Sequence, residues 1–110
     1  MMPANTGANA GMNSLNDDLL RAVELALAND WDAAHNLVQQ YESDRTASWI
    51  HAVLHKIEGD EANSHYWYRR AGRMDRAAGE PRAELAAIRA ELRTRQGAGI
   101  QSILTNHAAV

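Results

Sequence analysis

The segment LRAVELALANDWDAAH, residues 20–35, overlays IHAVLHKIEGDEANSH, residues 50–65, at a spacing of thirty residues. Leu20, Val23 and Leu27 fall on Ile50, Val53 and Ile57. Ala22 falls on Ala52, Ala34 on Ser64, His35 on His65, and the turn Asn29-Asp30 falls on Gly59-Asp60. A repeat of this length marks stacked helical hairpins, each unable to bury its own apolar face alone. The spacing therefore predicts an all-α architecture built from successive helix pairs with a shared interior.

Working outward, Ser14 is the expected opening of the first helix, with Asp17 three residues on in a capping-box arrangement. Leu15, Leu19, Leu20, Val23 and Leu27 recur at helical spacing and form a core-facing stripe. Asn29-Asp30 ends this helix and caps a second, from Trp31 to about Glu42. Asp44 is the expected N-cap of a third helix, Arg45 to Glu58, with Trp49, Ile50, Val53, Leu54 and Ile57 on one side. Gly59 suits the left-handed residue that follows, and Asp60 caps a fourth helix reaching about Ala71. Gly72 to Gly79 reads as a connector. Pro81 sits in the first turn of a fifth helix, where proline does least harm, and Leu85, Ile88 and Leu92 give it a narrow stripe suited to covering a stack. No alternating runs or hairpin-turn dipeptides predict strands.

The expected organisation is a disordered leader over residues 1–13, a helical-repeat domain over 14–96 and a tail over 97–110. With 110 residues the chain has room for one domain, and without cysteine it has no disulfide or thiolate chemistry. No signal-peptide pattern or membrane-length apolar run is present, so a cytoplasmic protein without a membrane partner is expected. Charge is unevenly placed. Residues 1–62 hold three basic and ten acidic side chains, whereas residues 63–110 hold eight arginines and four acids. The two halves should attract, within one molecule or head-to-tail between two. The overall net charge of −3 argues against a nucleic-acid partner.

The segment DEANSHYWYRRA, residues 60–71, resembles the second helix of a Sel1 or tetratricopeptide repeat, which runs from an acidic turn through a small residue to W-Y-R/K-K/R-A. Ala22 and Ala34 in the first copy, and Ala52, Ser64 and Ala71 in the second, stand where that pattern wants small residues. The resemblance covers about residues 15–71 and implies a tetratricopeptide-like stack of two hairpins, closed here by a C-terminal capping helix. It also implies a concave surface that binds a peptide or helix of another protein. The run WIHAVLHKIEGD, residues 49–60, followed by YWYRRA, residues 66–71, is also similar to a set of small, uncharacterised bacterial proteins, which implies no activity.

Two groups of residues could carry chemistry. His51 and His55 are one helical turn apart with Glu58 further along the same side, so the pair could seat a divalent ion, with Glu58 or His65 as a third ligand. The zinc-protease arrangement is missing, since Ala52 follows the first histidine. The alternative is that both histidines face a neighbouring helix and hydrogen-bond there. The second group is Tyr66-Trp67-Tyr68-Arg69-Arg70. Three consecutive aromatics stand about 100° apart and cannot share one helix face. Arg69 and Arg70, with Arg73 and Arg76, could grip a carboxylate or phosphate against an aromatic wall, or could simply answer the acidic first half. The coincidence of His35 with His65 favours a structural role for both. Arg82, Arg89, Arg93 and Arg95 with Glu84 and Glu91 read as a solvated helix face. The expected function is a non-catalytic protein-interaction module, with a protein partner or self-association and no cofactor. The alternative is a metal or small-ligand site at His51, His55, Glu58 and His65, or an anion site at Tyr66, Trp67, Arg69, Arg70 and Arg73.

Overall fold

Three aspartates and two glycines set the helix boundaries. The carboxylates of Asp30, Asp44 and Asp60 accept from the N–H groups of Ala33, Ala47 and Asn63, each three residues on. Gly59 (φ 87°) and Gly72 (φ 70°) take the left-handed conformation that ends a helix without a Cβ clash. A computed structural model of the chain describes residues 3–96, and side chains for residues 14–95. Five α-helices result: α1 (Pro3–Leu27), α2 (Trp31–Val38), α3 (Arg45–Glu58), α4 (Glu61–Ala71) and α5 (Pro81–Gln96). Among the described residues there is no strand, and no helix is long and apolar enough to cross a membrane.

Two boundaries differ from the sequence reading. Helical backbone begins at Pro3, ahead of Ser14, so much of the segment expected as a leader is part of α1. Alanine and methionine are strong helix formers, and a proline costs least in a first turn. The second helix tightens into a 3-10 turn over Gln39–Tyr41. The expected tail, 97–110, lies outside the described residues.

The helices pack as two neighbouring pairs, α1 with α2 and α3 with α4. Helix α2 also touches α3, and α5 runs along α1 and against α3. Helix α3 is consequently central, and every residue from Thr46 to His55 is buried. Leu19, Val23, Val38, Ile50, Val53, Leu54, Tyr68, Leu85, Ile88 and Leu92 are fully buried in the interior. The close approach of α3 and α4 rests on small residues, as Ser64 Oγ donates to the Ala52 carbonyl at 2.9 Å. Ile57, the last residue of the α3 stripe, is largely exposed where the helix leaves this packing.

Glu84 corrects the reading of α5 as a solvated face. Its side chain is 2 % exposed and accepts from Trp49 Nε1 (2.7 Å), Tyr68 Oη (2.6 Å) and Lys56 Nζ (2.8 Å). The same ammonium reaches the carbonyls of Arg76, Ala77 and Gly79 in the connector. Further out, Arg89 and Arg93 meet Glu24 of α1, and Arg82 donates to the Leu27 carbonyl at the end of that helix. These pairs join the acidic and basic halves within one molecule. Removing one member of a buried ion pair typically costs about 3–5 kcal/mol, because the other charge is left without compensation. Glu84→Ala should therefore lower unfolding stability by roughly that amount in urea titrations, whereas Glu24→Ala should change it by about 1 kcal/mol or less.

Candidate histidine–tryptophan site

The central position of α3 explains why its histidines do not meet solvent. His51 and His55 project from the side of α3 that faces α2 and α4, and are 4 % and 8 % exposed. His35, from the middle of α2, comes across to meet them. The Nε2 atoms of His51 and His35 stand 3.0 Å apart, so one must donate to the other. The rings of His51 and His55 stack at 5.0 Å, and His35 meets both edge-on. One nitrogen from each of the three histidines lies within 4.8 Å of the other two.

Two tryptophans wall this cluster. Trp31 stacks on His35 with ring centroids 4.5 Å apart, and its Nε1 donates to the Leu54 carbonyl. Trp67, on α4, lies nearly parallel to His51 at 3.9 Å. Outside it, Tyr66 stands edge-on and the Arg70 guanidinium covers the Trp67 ring at 5.2 Å. At the open end, His55 Nδ1 lies 2.5 Å from Glu58 Oε1, whose side chain is 39 % exposed. Glu58 and Asp60 form a second, more exposed group of possible ligands that shares His55.

The sequence-derived candidates are thus rearranged. His51 and His55 lie side by side, and Glu58 meets His55 but not His51. His65 does not join them: it sits on the exposed part of α4 with Glu61 at 3.9 Å. His35 takes its place, although the repeat equated the two. The hairpin copies diverge here because α2 packs against α3 while the equivalent face of α4 is open. An intervening helix, not sequence spacing, brings His35 to the pair. The only signal in the sequence was that Trp31 and His35, four residues apart, share a helix face.

The arginine–aromatic cluster also divides. Trp67 and Tyr68 are buried and Tyr66 is exposed, as three consecutive aromatics require. Arg70 donates to the Glu42 carbonyl, Arg69 points into solvent, and Arg73 turns away to lie over Trp49. These three do not form one grip. No protein-family model, curated protein or solved structure matches the chain.

Electrostatics favour the uncharged forms of His51 and His35. Burial, followed by the neighbouring His35 and His55, pushes the His51 pKa down to about 3. His35 is lowered too, by burial and then His55, with Glu58 and Asp32 partly opposing. The unfolded chain accepts a proton on His51 near pH 6.5, whereas the folded one resists until about pH 3. Stability is therefore full above pH 6.5 and falls as the pH drops through that window. The loss is at most about 1.4 kcal/mol per pH unit for one such group. In urea titrations of metal-free protein from pH 7.5 to 4.5, the wild type should lose stability more steeply than His51→Gln.

Proposed function

We propose that this domain is a non-catalytic metal-binding module whose ion is held by His35, His51 and His55. The observation that carries the reading is the convergence of three imidazole nitrogens in a buried seam, two of them 3.0 Å apart. Nitrogens about 2.0–2.1 Å from a tetrahedral zinc ion lie roughly 3.3 Å from each other, close to the 3.0 Å seen between His35 and His51. The donor of that pair would shift its Nε2 proton to its Nδ1, a change of tautomer that leaves the ring neutral and frees both Nε2 atoms for the ion. Glu58 on His55 Nδ1 leaves Nε2 for the ion and supplies the outer carboxylate that orients a ligating histidine. A nitrogen donor set suits zinc, nickel, cobalt or copper and disfavours magnesium and calcium. The surrounding frame is read as a tetratricopeptide-like stack in a cytoplasmic protein.

The interaction-module reading is the second choice. Helix α5 lies along α1 and against α3, which in such a stack is the side a peptide would use. What favours partner binding is the outer face of α4, where Tyr66 is 45 % exposed and Arg69 is turned to solvent.

Tag-free protein should take up one equivalent of zinc or cobalt, with a raised melting temperature and a tetrahedral Co²⁺ absorption band. His35→Ala, at the rim of the seam, should abolish both. Glu58→Gln should weaken binding by about 10–100-fold. Wild-type protein showing neither a melting shift nor a cobalt band would exclude the proposal. If Glu58→Gln abolishes binding and His35→Ala spares it, the ion belongs to His55, Glu58 and Asp60 instead.

A further inference from the structure

A second cluster lies apart from the histidines, where the N-terminus of α3, the C-terminus of α4 and the last turns of α5 meet. A cleft of about 240 Å³ there is lined by Arg45, Thr46, Trp49, Arg73, Glu91 and Arg95, beside Ala71 and Gly72. Three guanidiniums from three parts of the chain thus share one opening with a single carboxylate.

Each arginine is held differently. Arg73 lies over the buried Trp49 ring, 4.4 Å from its centroid, and reaches Glu91 at 3.7 Å. Arg95 donates to Glu91 at 2.9 Å and to Thr46 Oγ1 at 3.1 Å. Among the described residues Arg45 has no hydrogen-bond or ion-pair partner for its guanidinium, whose Nη1 stands 3.7 Å from where a Cβ on Gly72 would be. Thr46 is 7 % exposed; its hydroxyl accepts from Arg95, and its own proton meets no acceptor among the described residues. The opening lies beside the start of α3, whose N-cap carboxylate, Asp44, already accepts from the Ala47 N–H.

We propose that this cleft binds a phosphate group, as orthophosphate or a small phosphomonoester. Three guanidiniums less one carboxylate leave two positive charges, which match a phosphate dianion and exceed what a carboxylate needs. The free Arg45 fork, the Thr46 hydroxyl proton and the Arg73 edge are donors of the kind phosphate oxygens take. Glu91 acts as the resident anion, bridging Arg95 tightly and Arg73 loosely until phosphate takes the loose side. The volume suits a phosphate with a small substituent. Trp49 is covered by Arg73 and so has no free face for a nucleobase.

Isothermal titration calorimetry on the tag-free full chain, with inorganic phosphate and with glycerol 3-phosphate, tests this. One saturable site is expected for at least one of the two, and the tighter of them identifies the source. Arg45→Gln removes a guanidinium that holds nothing else and should weaken binding roughly tenfold or more. Glu91→Gln removes the competing charge and should tighten it, so a gain of binding is available even where a loss is ambiguous. Arg21→Gln, an exposed arginine of α1 outside the cleft, should leave binding unchanged. Absence of binding in both wild type and Glu91→Gln, or equal weakening by Arg21→Gln and Arg45→Gln, overturns the proposal.

Discussion

The carboxylate of Glu84 is the point on which the packing of this domain turns. It is carried by α5 and takes hydrogen bonds from Trp49 and Lys56 of α3 and from Tyr68 of α4, all within 2.8 Å. A charge in such a place is tolerated only because every lone pair facing the interior has a donor and the balancing ammonium is adjacent. The tie is directional where apolar packing is not. Leu85, Ile88 and Leu92 would accept many positions of α5 along a greasy surface, but Glu84 allows one. With α5 set, Lys56 reaches over it to three carbonyls of the connector, so loop and helix are placed together.

The histidine seam follows from the same central helix. Because α1, α2, α4 and α5 all touch α3, no side of its middle two turns is left for solvent. Polar residues there must therefore find partners within the protein. Ser48 uses the Glu42 carbonyl, His51 the ring of His35, and His55 the Glu58 carboxylate. Burial and the neighbouring imidazoles disfavour the charged forms of His51 and His35, and stacking against Trp67 and Trp31 fixes their planes. Both conditions are what a transition metal asks of its ligands. A purely structural use of these residues would need only one hydrogen bond between His35 and His51. The gathering of a third imidazole, with its own carboxylate at Glu58, goes beyond that need.

Charge segregation along the chain has a matching spatial logic. The basic second half supplies α5, and Arg82, Arg89 and Arg93 bind it to the acidic α1, while Arg70 takes a carbonyl at the end of the first pair. Four of the ten arginines are thereby spent on internal contacts of modest individual strength. Arg73 and Arg95 differ because both meet one acid, Glu91, with Arg45 lining the same cleft. That excess is a property of three helix ends meeting.

Helix number, the caps at Asp30, Asp44 and Asp60 and the boundaries of α3 and α4 were legible in the residues, because they depend on local features: aspartates before helices, glycines after them and a 3.6-residue apolar rhythm; the start of α1 and the end of α2 were not. The third helix, Arg45–Glu58, was legible to the residue, and so was the division of Tyr66, Trp67 and Tyr68 between core and surface. Tertiary structure alone decided the rest. Glu84 looks like any surface glutamate until Trp49, Tyr68 and Lys56 surround it. His35 and His65 look equivalent until α2 is packed on α3 and the matching face of α4 is left open. Arg73 belongs to a run with Arg69 and Arg70 until the left-handed Gly72 turns the chain and lays it on Trp49. Such pairings join residues sixteen to thirty-five positions apart through intervening helices, and no rhythm in the sequence carries that information.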